Sequence, residues 1–353
     1  MALSHHLDHE NSPIRKFLAA RFPNTDPFIR EQTTRLSGSR TVRLPADQTR
    51  PAYRTLGTAI DYRIRYYYAP TPVQDLVAWT GAMALTDIPP YDIDDPLVWE
   101  DFEEAEMLVG KVYLRERQGH WQQYTGRELP SVDRLRAEAC TTLPTEVILG
   151  FFRSFQDVLA RYNPAGRMLD REQEEDMARH SVVLAFFEQI FRAGPGINSP
   201  LFADDASTRV SALLAKVEDA FIQDLTALSW LFFESDHHLL SDSAVLNPNF
   251  SGSHHVGGAD ADLIVDGCLM EIKATTQPSK EWKALLYQLL GYALLDYDDQ
   301  YGIEQVGVYF ARQGVTLSWR LRDLISELAS RPLPPLDELR QSFREVAMQS
   351  ARH

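Results

Sequence analysis

Two cysteines in 353 residues, Cys140 and Cys268, cannot build a disulfide framework. That scarcity fits a chain kept reduced. Residues 1–10 lack the basic-then-apolar order of a signal peptide, so a cytoplasmic location is expected. Long apolar runs are missing as well. Residues 284–295, among the most apolar, contain Tyr287 and Gln288 and stop short of the roughly 18 residues that suggest a membrane span, so no membrane partner is expected. No Gly-x-x-x-x-Gly-Lys-Ser/Thr loop is present to hold a nucleotide, and no Gly-x-Ser-x-Gly elbow to present a nucleophile. His237-His238 and His254-His255 lack the Cys/His spacing of a zinc site, and adjacent side chains point in different directions. His255 is the best placed of the four for a metal or proton role. There is no internal repeat and no low-complexity tract. Positive charge is also short: 35 Lys and Arg stand against 50 Asp and Glu, a net charge of −15. Such a chain is unsuited to binding nucleic acid over a broad surface, because phosphate contacts supply most of that affinity.

The charge that is present is uneven. Residues 30–65 carry eight arginines against three acids, whereas residues 86–106 carry nine acids and no base. Arginine forks match phosphates in bidentate fashion, which makes Arg63 and Arg65 candidates for nucleic-acid contact. A mutually neutralising or simply solvated pair of segments is the plainer reading. The acidic stretch would repel nucleic acid or bind a basic protein partner.

With 44% hydrophobic residues the chain has ample material for a core. Its most informative stretch is 257–275. Two short apolar runs flank Asp266-Gly267, a two-residue connection that favours a type I′ turn because it tolerates positive φ at both positions. That turn fixes the register: Val265 opposite Cys268, Ile264 opposite Leu269, Leu263 opposite Met270, then Asp262 opposite Glu271 and Asp260 opposite Lys273. Alternation puts Ala259, Ala261, Leu263, Val265, Cys268, Met270, Ile272 and Ala274 on one apolar face. The other face carries Asp260, Asp262, Glu271 and Lys273, with Ile264 and Leu269 nearer the turn. Three carboxylates beside one lysine are unfavourable in a sheet. A divalent cation would remove the repulsion, and hard oxygen ligands suit Mg²⁺ or Mn²⁺. A salt-bridged hairpin end, with Lys273 pairing Asp260, is the plain structural alternative.

Asp262, then Glu271-Ile272-Lys273 nine residues on, resembles the PD-(D/E)XK nuclease superfamily. Gln288 and Tyr292, four apart on an expected helix, share a face and resemble the Gln-x-x-x-Tyr element of its RecB-like branch. The resemblance covers roughly residues 206–322. It implies a restriction-endonuclease-like α/β core, a short mixed sheet flanked by helices. It implies that Asp262, Glu271 and the carbonyl of Ile272 hold Mg²⁺ or Mn²⁺, that Lys273 serves the attacking water, and that Gln288 and Tyr292 support the site. Asp260 would help or substitute for Asp262. Gly57-Thr58-Ala59-Ile60-Asp61 is similar to the Gly-Thr-x-x-His element that opens RecB-like domains, with Asp61 in place of the histidine. Asp61 is also placed to pair with Arg65 at i+4.

Helices are expected over 12–21, 55–67, 71–86, 96–124, 144–162, 170–193, 206–234, 280–296 and 336–349, with 22–55 irregular apart from the start of the second. Strands are expected over 258–265, 268–275, 304–311 and 315–321. These give a mostly helical region 1–200, a nuclease-like core 201–330 and a C-terminal helix 331–353. Alternatively, 55–67 is an early core helix and 68–205 a helical insertion. The function implied is metal-dependent hydrolysis of phosphodiester bonds, with DNA ahead of RNA as the partner, in repair, restriction or defence. The second reading is an inactive nuclease-fold module that meets a protein partner through its acidic helical half.

Overall fold

The computed structural model describes residues 3–37, 39, 41–43, 50–85, 106–109, 112–117, 120–123, 143–193, 200–202, 209–237, 240, 241 and 243–350. Among them are twelve α-helices and two sheets, a mixed α/β architecture. The chain divides into two units, residues 1–43 with 231–353, and residues 44–230. This cut differs from the expected boundaries at 200 and 330, because apolar residues of the first 43 positions belong to the core around the five-stranded sheet. Leu3, Leu7, Ile14, Leu18, Phe22, Phe28 and Leu36 are all buried there.

The first unit begins with helices α1 (Leu3–Asp8), α2 (Pro13–Arg21) and α3 (Thr25–Leu36). Pro13 opens α2 after Ser12, where a missing N–H costs nothing. Helix α3 replaces part of the irregular segment expected over 22–55. Its Thr- and Arg-rich composition hides a stripe of Phe28, Gln32 and Leu36 that burial holds in place.

The sheet runs β4 (Val245–Leu246), β5 (Leu263–Val265), β6 (Cys268–Lys273), β7 (Gln305–Phe310) and β8 (Val315–Arg320), in that spatial order. Only β6 and β7 pair in parallel. Parallel neighbours need a crossover, and α10 (Pro278–Leu295) supplies it. Helix α10 packs on β6 and β7 and is itself covered by α1, α2, α3 and α12 (Leu336–Ser350). Trp282 of α10 is fully buried, with its ring centroid 5.1 Å from that of Phe310 and 6.0 Å from that of Trp319. Helix α11 (Leu321–Leu328), absent from the sequence reading, follows β8 directly.

In the second unit the long helices are α4 (Arg50–Tyr68), α6 (Thr145–Tyr162), α7 (Arg171–Ala193) and most of α9 (Asp219–Asp236). Shorter ones are α5 (Val77–Met83) and α8 (Val210–Leu214). Helix α6 stops at Asn163, whose φ of 45° forms a left-handed cap ahead of Pro164. Gly81 lets α5 approach α7, since a Cβ there would overlap the Phe187 carbonyl.

The helix expected over 96–124 is contradicted where the residues are described. Strands β1 (Glu106–Val109), β2 (Val112–Arg117) and β3 (His120–Gln123) form an antiparallel meander. Val109 faces Val112 and Arg117 faces His120, so two-residue steps containing Gly110 and Gly119 separate the strands. The 3–4 spacing of Leu108, Val109 and Val112 suited a helix equally well, and those glycines were the signal against it. Most of the acidic 86–106 stretch lies outside the described residues.

Candidate active site

The hairpin at the centre of the five-stranded sheet forms in the expected register. Asp266 and Gly267 take φ of 47° and 73°, the positive values a type I′ turn requires. The strand 258–265, however, narrows to Leu263–Val265, and the reason lies in the site. Beyond Leu263 the chain turns toward 247–249: Asn247 N–H donates to the Asp262 carbonyl at 2.9 Å, and Asp260 bridges Asn249. Strand β6 therefore continues past its partner. The Ile272 N–H that a longer β5 would have bonded instead donates to Asp262 Oδ2 at 2.6 Å. One residue's N–H and C=O point to the same strand edge, so the Ile272 carbonyl also faces the gap beside Asp262.

Alternation puts Asp260, Asp262, Glu271 and Lys273 on one face, as expected, but that face is not solvent. Ile264, Leu269, Val306, Val308 and Phe310 lie on it and belong to the main core. The opposite face, with Leu263, Met270 and Ile272, is buried too; Tyr309 there meets Phe232 at 5.1 Å. The carboxylates stand at the rim of the core. Glu271 is 2% exposed, and burial, then Asp262, then Asp260 outweigh Lys273 and raise its carboxyl to about 7. Lys273 Nζ donates to Glu271 Oε2 at 2.6 Å, while Glu271 Oε1 is buried with no hydrogen-bond partner.

Gln288 and Tyr292 of α10 meet this face. Gln288 Nε2 donates to Tyr292 Oη at 2.8 Å. Burial first, then the charges of Glu271, Asp260 and Asp262, push the Tyr292 phenol far up, so its hydroxyl lies within electrostatic reach of the three acids. Phe250, which sequence reasoning did not single out, stacks on Tyr292 with centroids 5.4 Å apart. Nothing local marks Phe250 out; only the tertiary packing does. The structure thus gathers Asp260, Asp262, Glu271, Ile272, Lys273, Gln288 and Tyr292.

Asp61, Arg63 and Arg65 belong to the second unit and are already engaged there. Arg65 Nε donates to Asp61 Oδ1 at 2.8 Å, the i+4 pair that the spacing allows, although the pair is buried and not exposed. Arg63 is fully buried and forks onto Glu174, with Nε donating to Oε2 at 2.9 Å. Its guanidinium lies 3.9 Å from the Tyr67 ring centroid, and Tyr67 and Ser229 hydroxyls also donate to Glu174. Arg63 thus sits in an internal network, which corrects its assignment as a surface phosphate contact.

Whether a divalent cation suits the hairpin site can be judged from its donors. Among the described residues no three His, Cys, Asp or Glu side chains form a metal-holding group. The donors here are two carboxylates, Asp262 and Glu271, and one backbone carbonyl, that of Ile272. Mg²⁺ is commonly held by one or two carboxylates with water completing its shell. The partnerless, buried Glu271 Oε1 is an acceptor that such a cation would satisfy. The donor set therefore fits a hard divalent ion. No family model matches the chain, and no curated protein or solved structure matches it. No described helix is long and apolar enough to cross a membrane.

Proposed function

We propose that the protein is a metal-dependent phosphodiesterase of the PD-(D/E)XK type that acts on nucleic acid, with DNA as the preferred substrate. The supporting observation is Glu271. A buried carboxyl with one oxygen partnerless, beside two further acids and a single lysine, is a poor structural element. It is a sound ligand. The mixed sheet with its hairpin, the crossover helix and the Gln288/Tyr292 pair agree with a restriction-endonuclease-like core, and that fold assignment is part of the proposal.

When bound, Mg²⁺ or Mn²⁺ supplies a bound water of lowered pKa and a cationic partner for the scissile phosphate. The chain's own residues do the rest. Asp262 and Glu271 would hold the ion, with Asp262 fixed in place by the Ile272 N–H. Lys273, tethered to Glu271 Oε2, offers its ammonium to the attacking water and to the charge developing on the phosphate. Tyr292 stays a phenol at any physiological pH. Its oxygen accepts from Gln288 Nε2, which fixes the ring on the acid-bearing face. Asp260 raises the negative potential that draws the cation in.

The test is cleavage of labelled single-stranded DNA, duplex DNA and RNA by wild type and Glu271→Ala, in Mg²⁺, Mn²⁺ and EDTA. Metal-dependent cleavage by wild type, lost in the variant, is expected. Folded wild type that cleaves none of these in either metal would refute the proposal. A second reading, favoured by the lack of three converging side-chain ligands among the described residues, is an inactive nuclease-fold module that binds a protein partner. It predicts no thermal stabilisation by Mn²⁺.

A further inference from the structure

A second cluster lies close to the hairpin site in sequence and shares its scaffold. The 3₁₀ turn Ser253–Val256 leads through Gly257 and Gly258, at φ of 66° and 115°, into Asp260 and Asp262. It packs on α12. The His254 and His255 ring centroids are 3.9 Å apart, and the His255 ring lies 5.8 Å from that of Tyr297. The Arg344 guanidinium, from α12, stands 5.4 Å from the Tyr297 ring centroid. It disfavours protonation of both histidines, after their own burial, so it lies within electrostatic range of both.

Two imidazoles and one guanidinium thus stand around Tyr297 and the 3₁₀ turn. Among the described residues no carboxylate makes an ion pair with Arg344, His254 or His255. Asp298, one residue beyond Tyr297, accepts from the Ser251 hydroxyl at 2.9 Å. Asp299 accepts from Arg340. His255 Nδ1 and Tyr297 Oη are buried without hydrogen-bond partners, so the cluster does not satisfy itself. Beside the Arg344 charge, a His255 ring nitrogen and the Tyr297 hydroxyl are buried and left unpartnered by the protein, and an anion seated there would complete the cluster.

We propose that His254, His255 and Arg344 form a subsite for a phosphate of the substrate strand other than the scissile one. This rests on the phosphodiesterase reading above. His255 and Asp260 are five positions apart, a span of at most about 18 Å. At about 3.4 Å of rise per nucleotide of one strand, that is within roughly five nucleotides of the acids. The frame between the two places is firm. Phe250 N–H donates to Ser253 Oγ, Ser253 Oγ donates to the Ala259 carbonyl, and Phe250 stacks on Tyr292. Both histidines are neutral near pH 7; the His254 N–H is turned to the Ser251 carbonyl, so His255 supplies the imidazole N–H of the subsite and Arg344 its one full charge.

The experiment measures binding of labelled oligonucleotides in EDTA across a salt series, for wild type and for His254→Gln/His255→Gln/Arg344→Gln. Arg344→Gln alone, at an exposed position, serves as a second variant should the triple one misfold. Loss of the single charged contact predicts binding weakened roughly tenfold at low salt, with a log K against log salt slope shallower by about one. Stabilisation by Mn²⁺ should be unchanged. Equal affinity and equal slope in wild type and variant would overturn the subsite and leave the nuclease reading intact. Wild type that neither binds nor cleaves nucleic acid would overturn both. Inorganic phosphate that shifts the His254 and His255 ring resonances, with oligonucleotide affinity unchanged in the variant, would assign the cluster to a free anion and overturn its role on the substrate strand.

Discussion

Glu271→Gln should make the metal-free protein more stable at pH 8 while abolishing cleavage. The carboxyl of Glu271 is raised from its ordinary 4.5 to about 7, first by burial and then by Asp262. Between those two values the folded state holds a proton that the unfolded state has released. Stability therefore falls as pH rises through about 4.5 to 7 and levels off above it. At about 1.4 kcal/mol per unit, ionised Glu271 costs the fold about 3 kcal/mol at pH 8. Glutamine keeps the shape and an acceptor for Lys273 but carries no charge. Urea melts in EDTA should give wild type and variant nearly equal stability near pH 4, with the variant ahead by up to about 3 kcal/mol at pH 8. Mn²⁺ at a hundredfold excess over its dissociation constant should return about 2.7 kcal/mol to wild type alone, closing the gap. A variant less stable than wild type at pH 8 in EDTA, or a pH dependence common to both, would refute the argument that Glu271 is a strained ligand.

Lys273→Met removes the one cation beside Glu271, so cleavage should disappear while stabilisation by Mn²⁺ persists, as paired activity and melting measurements will show. Glu174→Gln leaves the buried Arg63 guanidinium without its counter-charge and should cost about 3–5 kcal/mol in urea melts. Most of that should return in the double variant with Arg63→Met. Gly307→Ala places a Cβ 2.5 Å from Met270 Sδ and 2.9 Å from the Leu317 carbonyl. Because the latter is backbone and cannot step aside, a loss of about 1–3 kcal/mol is expected.

The parts legible in the sequence are those that short-range chemistry decides. Asp266-Gly267 sets a turn by its own φ preferences, and the turn sets the register of the hairpin. The Gln288–Tyr292 spacing places two side chains on one helical face whatever else the chain does. What escaped notice depends on partners distant in sequence. Helix α3 is held by Phe28 against Trp319, with centroids 5.3 Å apart, a contact across nearly the whole chain. The truncation of β5 at Leu263 depends on 247–249 competing for its edge. Alternation put Leu263 and Met270 on the buried side of the hairpin. It could not show that α10 would bury the other side as well, and so desolvate Glu271.

Residue type alone does not separate a site from a structural network, and this chain supplies both cases. Arg63 with Glu174 and Arg65 with Asp61 present the charged side chains that suggest nucleic-acid or metal chemistry. In each pair one cation meets one anion in a forked hydrogen bond, so the charges cancel. Such pairs perturb local electrostatics without calling for a ligand. At the hairpin the effects on Glu271 do not cancel: burial, Asp262 and Asp260 outweigh Lys273, and its carboxyl is raised. The backbone yields there as well, since β5 gives up its last ladder bonds and an Asp262 side chain replaces them on Ile272. A buried Glu271 oxygen without a hydrogen-bond partner, on a strand whose neighbour has given up its ladder bonds, costs stability that a bound cation would return. Charge balance, and not the presence of acids or arginines, is therefore the criterion that favours the hairpin over the helical network as the candidate site.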